Sequence, residues 1–160
     1  MSVTDLFDAA RARGVRVCTA ESCTGGMISA AITDVAGSSA IFDRSFITYT
    51  NAAKMEMLGV KPATLEAHGA VSEKVAAEMA RGALAGSDAQ IAVSVTGIAG
   101  PGGSEHKPEG RVCFGLATDA GVRTETIEFG AIGRAEVRQA TTHHAIKLLL
   151  KATLQFSPIT

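Results

Sequence analysis

The chain predicts an α/β domain: a three-layer α/β/α sandwich built on a mixed, mainly parallel sheet. Three observations carry that expectation. Strand-like runs at residues 15–20, 42–49 and 90–96 alternate with helix-like segments, which is the order a parallel sheet requires. The third run, Ile91-Ala92-Val93-Ser94-Val95, is apolar through most of its length, as befits a strand covered on both faces. Two further runs, 111–118 and 122–129, are separated only by Asp119-Ala120-Gly121. Such a short link makes an antiparallel hairpin and renders the sheet mixed. The 160 residues suit one domain, 1–160, with a single core.

Each element has a local reason. Ser2 is placed to cap a helix that runs to residue 13, where Gly14 stops it. A helix over 25–34 follows the first strand, and a loop at 35–39 leads to the second. Asn51 is the expected cap of a short helix through 57, closed by Gly59. Pro62 and Gly69 bracket one or two further helical turns. Ser72 opens an alanine-rich helix ending between 81 and 86, with Gly82 weakening its last turn. The final helix spans 134–154 and places Val137, Ala140, Thr141, His144, Ala145, Leu148 and Leu149 on one face.

Composition narrows the function classes. Hydrophobic residues make up 46% and charged residues 19%, which is globular rather than disordered. A net charge of −1 with no block of like charge argues against nucleic acid as a partner. No run reaches the length of a membrane span, and the N-terminus carries Asp5 without an apolar signal region, so no membrane partner and a cytoplasmic location are expected. Cys18, Cys23 and Cys113 are odd in number and lack CxxC spacing, and the four histidines lack zinc-site spacing. No metal and no cofactor are expected.

Chemistry concentrates where strands end. Ala20-Glu21-Ser22-Cys23-Thr24-Gly25-Gly26 sets a hydroxyl, a thiol and two glycines where the first strand hands over to a helix. Backbone N–H groups cluster at a helix N-terminus, and a nucleophile beside such donors suits acyl transfer. Ser22 can also be no more than a helix cap. Cys23 is a rival nucleophile, or a small packed thiol. Thr48-Tyr49-Thr50-Asn51-Ala52-Ala53-Lys54 puts a phenol at the end of the second strand and a lysine early in the next helix. In a parallel sheet both share the carboxyl-end face with Ser22. Lys54 can serve as a base only if desolvated; otherwise it is an ordinary solvated lysine. The loop over 97–110 carries five glycines and two prolines but ends in neither a P-loop nor a dinucleotide fingerprint. Its length favours a ligand role over a structural one. Arg134 and Arg138, one helical turn apart, can hold a phosphate or be surface charges.

Ala20-Glu21-Ser22-Cys23-Thr24-Gly25-Gly26, Tyr49-Thr50-Asn51, Gly69-Ala70-Val71-Ser72 and Gly97-Ile98-Ala99-Gly100-Pro101 closely resemble the C-terminal domain family of the competence/damage-inducible protein CinA. The likeness runs from about residue 5 to 150 with the motifs in family order. It implies an α/β/α fold, nicotinamide mononucleotide deamidase activity without a metal, and homodimers or higher homo-oligomers. It also implies a serine nucleophile aided by a lysine and a tyrosine, which map onto Ser22, Lys54 and Tyr49. Many members carry an additional N-terminal domain, and this chain matches the stand-alone form. Within that scheme Cys23, Thr24, Gly25 and Gly26 offer backbone N–H groups to the oxyanion. Gly97, Gly100, Gly102, Gly103 and Arg138 are the expected contacts of the nucleotide's ribose and phosphate. The family loop usually reads Gly-Pro-x-Gly-Gly and ends in Lys-Pro-Val-Gly. Here it is one residue shorter, and Glu109 stands where valine is usual. A different class of function stays open: a non-catalytic sensor that binds a pyridine nucleotide and acts through a partner.

Overall fold

The computed structural model describes residues 2–157. Six helices and five strands follow one another as α1 (Val3–Arg13), β1 (Val17–Glu21), α2 (Met27–Thr33), β2 (Phe42–Ile47), α3 (Asn51–Leu58), α4 (Pro62–His68), α5 (Glu73–Ala85), β3 (Ile91–Gly97), β4 (Arg111–Thr118), β5 (Gly121–Glu128) and α6 (Arg134–Gln155), with a single 3-10 turn at Ser38–Ala40. The sheet order is β2-β1-β3-β4-β5. β1 pairs in parallel with β2 and β3, whereas β4 runs antiparallel to both β3 and β5. β4 alone therefore points against the other four strands, which is the mixed, mainly parallel sheet the sequence predicts.

Alternation along the central strands decides what covers each face. Val17, Ile91, Val93 and Val95 pack with Leu6, Ala10, Ile28, Ile32, Val137 and Leu149 from α1, α2 and α6. Cys18, Ala20 and Ala92 point the other way, to Val75, Met79, Ala80 and Ala83 of α5 and Leu58 of α3. Branched residues thus meet the three-helix face and small ones meet α5. The small residues let α5 approach closely enough for Ser94 Oγ to donate to the Ala76 carbonyl at 2.6 Å. Both faces of β1 and nearly all of β3 are buried. This gives three layers, with the carboxyl ends of β1, β2 and β3 on one edge.

The caps hold with one correction. Ser2 and Ser72 accept from the N–H groups of Asp5 and Val75, and Gly14 closes α1. α3 is capped by Thr50, whose side chain accepts from the Ala53 N–H, while Asn51 is its first helical residue. Thr50 has the extended backbone a cap needs, and its hydroxyl reaches the third N–H beyond it.

Candidate active site

The β1–α2 turn is organised by a residue to which the sequence assigned no role. Glu21 is fully buried at the end of β1. Its carboxylate accepts from the hydroxyls of Thr19 (3.0 Å), Thr24 (2.7 Å) and Ser45 (3.3 Å) and from the N–H groups of Gly26 (3.2 Å), Ile28 and Ser29 (both 3.0 Å). α2 is preceded by Gly26, which has no side chain to cap it. Glu21 supplies that cap from the neighbouring strand, placing a negative charge where the helix dipole favours it. Gly25 and Gly26 have φ values of 57° and 108°, which a side chain would resist, and this lets the chain fold back over the carboxylate.

That arrangement narrows the expected oxyanion donors. The Gly25 N–H is bonded to the Ser22 carbonyl at 3.1 Å, and the Gly26 N–H is held by Glu21. Neither is free for a substrate. Of the N–H groups in this turn, those of Cys23 and Thr24 bond to no oxygen among the described residues. Ser22 itself caps nothing. Its N–H extends the ladder to the Val95 carbonyl at 3.1 Å, and its Oγ accepts from Lys54 Nζ at 3.2 Å.

Lys54 reaches Ser22 from the first turn of α3 and is only 1% exposed. Its Nζ also donates to the main-chain carbonyl of Tyr49 at 3.1 Å. Burial pulls its pKa below the ordinary lysine value, and the negative field of Glu105 opposes part of that change. The Cys23 thiol goes the other way: burial pushes it up to about 12. A thiol with that pKa is protonated at neutral pH, which weakens it as a rival nucleophile. Cys18 is likewise pushed up to about 11 by burial.

Two side chains make contacts other than the expected ones. The Tyr49 ring is exposed, and its hydroxyl accepts from Arg134 Nη2 at 3.2 Å; it is the Tyr49 carbonyl, not the phenol, that touches Lys54. Arg138 does not face the cleft. Its guanidinium donates to the carbonyls of Cys23 (3.0 Å) and Thr24 (3.3 Å), clamping the β1–α2 turn to α6. Arg134, one turn earlier, lines the cleft and donates to the Gly100 carbonyl at 2.6 Å. Of these two arginines, Arg134 is the one that lines the cleft, and Arg138, the expected phosphate contact, does not.

The glycine-rich loop closes the other side. Gly97, Gly100, Gly102 and Gly103 all line the cleft, with Ser22, Cys23, Tyr49 and Lys54 opposite. The loop is braced by its own far end. Lys107 Nζ donates to the carbonyls of His68 and Val71, both at 2.6 Å, and Glu109 accepts from the Gly102 N–H. The residue that departs from the family pattern therefore occupies one loop N–H, and the cleft has a volume of about 330 Å³. That volume lies at the lower end of small-molecule sites. Among the described residues, no three His, Cys, Asp or Glu side chains gather as metal ligands, and no helix is long and apolar enough to cross a membrane.

Comparison with known proteins agrees with this architecture. Nicotinamide-nucleotide amidohydrolase PncC of Escherichia coli (strain K12) is 52% identical over 148 residues, covering 92% of this chain and 90% of that protein. The crystal structure of competence/damage inducible protein CihA from Agrobacterium tumefaciens is 49% identical, with a TM-score of 0.85 over 92% of this chain and 94% of the other. Competence damage-inducible protein A (ComA) from Klebsiella pneumoniae subsp. pneumoniae MGH 78578 is 35% identical, with a TM-score of 0.93 over 97% and 96%. The profile of the CinA C-terminal domain matches residues 2–153, and with the fold and the order of motifs in agreement, the chain belongs to the CinA C-terminal domain family.

Proposed function

We propose that the chain hydrolyses the carboxamide of nicotinamide mononucleotide to nicotinate mononucleotide and ammonia, with Ser22 as nucleophile and Lys54 as base. The observation that carries this reading is a buried amine 3.2 Å from a serine hydroxyl at the floor of a cleft. A relative 52% identical over nearly its whole length bears the name of a nicotinamide-nucleotide amidohydrolase, which supports the choice of substrate.

The steps follow from the geometry. Burial favours the neutral amine of Lys54, which takes the proton from Ser22 Oγ as that oxygen bonds to the amide carbon. The Tyr49 carbonyl holds Nζ in line, so tyrosine assists through its main chain. The Cys23 N–H stabilises the tetrahedral oxyanion, and one such donor is worth about 2.7–4 kcal/mol in a well-studied protease. The C–N bond then breaks, Lys54 returns the proton to the departing nitrogen, and ammonia leaves. Water adds to the remaining ester with Lys54 again as base, which releases the carboxylate and restores Ser22. Arg134 uses some of its five donors on Gly100 and Tyr49 and offers the rest to the phosphate.

The test is ammonia release from nicotinamide mononucleotide by purified protein. Ser22→Ala should lower turnover at least about a thousandfold with the thermal midpoint unchanged, while Cys23→Ala keeps most of it. The reverse pattern overturns the nucleophile. Stabilisation by the nucleotide without ammonia release would instead favour the sensor reading.

A further inference from the structure

Three of the side chains lining the cleft are ordinarily charged at neutral pH: Lys54, Arg134 and Glu105. Lys54 and Arg134 have places in the scheme above. Glu105 has none, yet several features place it at the wall. It sits with His106 at the tip of the loop, where both residues adopt left-handed backbone angles, φ 52° and 63°. A tight bridge between Ser104 and Lys107 closes that tip. The carboxylate leans over the α4–α5 turn, where a Cβ at Gly69 would lie 2.2 Å from its Oε2. Its nearest cation is Lys107, loosely placed at 3.9 Å, and that ammonium already bonds to two carbonyls. The Glu105 side chain stays 47% exposed, open to a ligand in the cleft.

A carboxylate on one wall and a guanidinium on another match a ligand that is itself a zwitterion. In nicotinamide mononucleotide the pyridine nitrogen is quaternised, so the ring is a cation and the phosphate an anion. With the carboxamide carbon at Ser22 Oγ, the ring lies inside the cleft that Glu105 borders. We propose that Glu105 is the counter-charge for the cationic ring and makes the site select amides carried on a quaternised pyridine over amides on neutral rings. This inference rests on the amidase reading.

The same placement couples binding to chemistry. Glu105 raises the proton affinity of Lys54 in the free enzyme, against the effect of burial. A cation seated at Glu105 offsets that field and favours the neutral amine needed for attack. Lys54 also faces Ser22 and Cys23 from the β1–α2 turn and Tyr49 from the end of β2, with Asn51 on its own helix and Arg134 across the cleft on α6. Glu105 faces Lys107 from its own loop and the Gly69 turn.

The experiment compares wild type and Glu105→Gln on nicotinamide mononucleotide and on its ring-reduced dihydro form, which has the same phosphate and carboxamide but a neutral ring. The two amides differ in intrinsic reactivity, but that difference cancels when the variants are compared. Glu105→Gln should raise KM for the oxidised nucleotide about five- to tenfold and leave KM for the reduced one unchanged. The acid limb of kcat/KM should move to lower pH, a change that mere loosening of the loop would not produce. Binding of both nucleotides to Ser22→Ala and Ser22→Ala/Glu105→Gln, measured by calorimetry, gives a second arm independent of turnover. An unchanged oxidised-to-reduced ratio in that arm, or equal weakening of both ligands, overturns the inference about Glu105. Absence of ammonia release by wild type overturns the amidase reading alone, since the binding arm still judges Glu105.

Discussion

Two chain reversals leave the same edge of the sheet and meet across the cleft, yet they are held in different ways. The β1–α2 turn is fixed from within. A fully buried carboxylate takes six hydrogen bonds beneath it, and Arg138 ties its carbonyls to α6. The loop from β3 to β4 is fixed from its rim, by Lys107 and Glu109 bonding to main-chain atoms near solvent. Buried ionic contacts act in a low dielectric and are costly to break, whereas rim contacts compete with water. The β1–α2 side is therefore preorganised, and the loop from β3 to β4 is the part able to yield. Chemistry needs reacting atoms held within a fraction of an ångström, while capture of a nucleotide needs an entrance.

Lys54→Met tests the rigid side where the effect is largest. Turnover should fall at least about a thousandfold, because no other neutral amine reaches Ser22. Stability should move the other way. The folded-state pKa of Lys54 is depressed by burial, so the folded state binds the proton less readily than the unfolded chain. Wild type thus carries a penalty that is complete below the folded pKa and fades as pH rises towards the unfolded value of about 10.4. The variant lacks that penalty, so its advantage in thermal midpoint over wild type should shrink as pH rises through that window. Thermal melts at a series of pH values check this, and a gap that widened with pH would mean that Lys54 is not held against its charge. In the same window, kcat/KM of wild type should rise with pH as the amine loses its proton.

Glu21→Gln asks whether the turn depends on its buried charge. The substituted amide would turn an N–H₂ towards a ring of donors, leaving some of them unsatisfied. Loss of a buried charged partner costs about 3–5 kcal/mol, which for a chain of this size lowers the melting midpoint on the order of 10 °C. Activity should fall with it, since Ser22 is the next residue. A variant that melts like wild type would place the rigidity of the turn in Arg138 instead.

The contrast between the two sides also marks what the sequence could and could not disclose. Caps at Ser2 and Ser72 and the stop at Gly14 were legible because capping is settled within three or four residues. The cap of α3 falls at Thr50 rather than the expected Asn51, because both residue types cap well and only the backbone angle separates them. Ser22 and Lys54, thirty-two positions apart, could be brought to one edge by the parallel topology alone, but the 3.2 Å contact lies beyond any spacing rule. Glu21 does not stand out in its motif by residue type alone. The signal was a carboxylate at a strand end followed by a helix entry, Gly26, that has no side chain to cap itself. Which of Arg134 and Arg138 faces the cleft depends on the rotation of α6 about its axis, fixed by Val137, Thr141, Ala145 and Leu149 against the sheet rather than by the arginines. Glu105 and Lys107 lie in a loop with no period to read, and their placement follows from contacts with the Gly69 turn, over thirty positions away.

Lys107→Met gives the smallest effect and the sharpest test of the yielding side. The ammonium makes two 2.6 Å bonds to the carbonyls of His68 and Val71, and the side chain is about one-fifth exposed. Methionine keeps most of the stem and removes both bonds. Hydrogen bonds to a charged group are worth about 1.5–3 kcal/mol when buried, and screening at the rim reduces that to about 1 kcal/mol or less. The melting midpoint should therefore drop by only about 2–4 °C. Because Lys107 touches the loop and the α4–α5 turn but neither Ser22 nor Lys54, the kinetic change should fall on KM, about three- to tenfold, with kcat nearly unchanged. An equal fall in kcat would mean that the loop helps to align the reacting atoms, and the division between a fixed chemical side and a yielding ligand side would not stand.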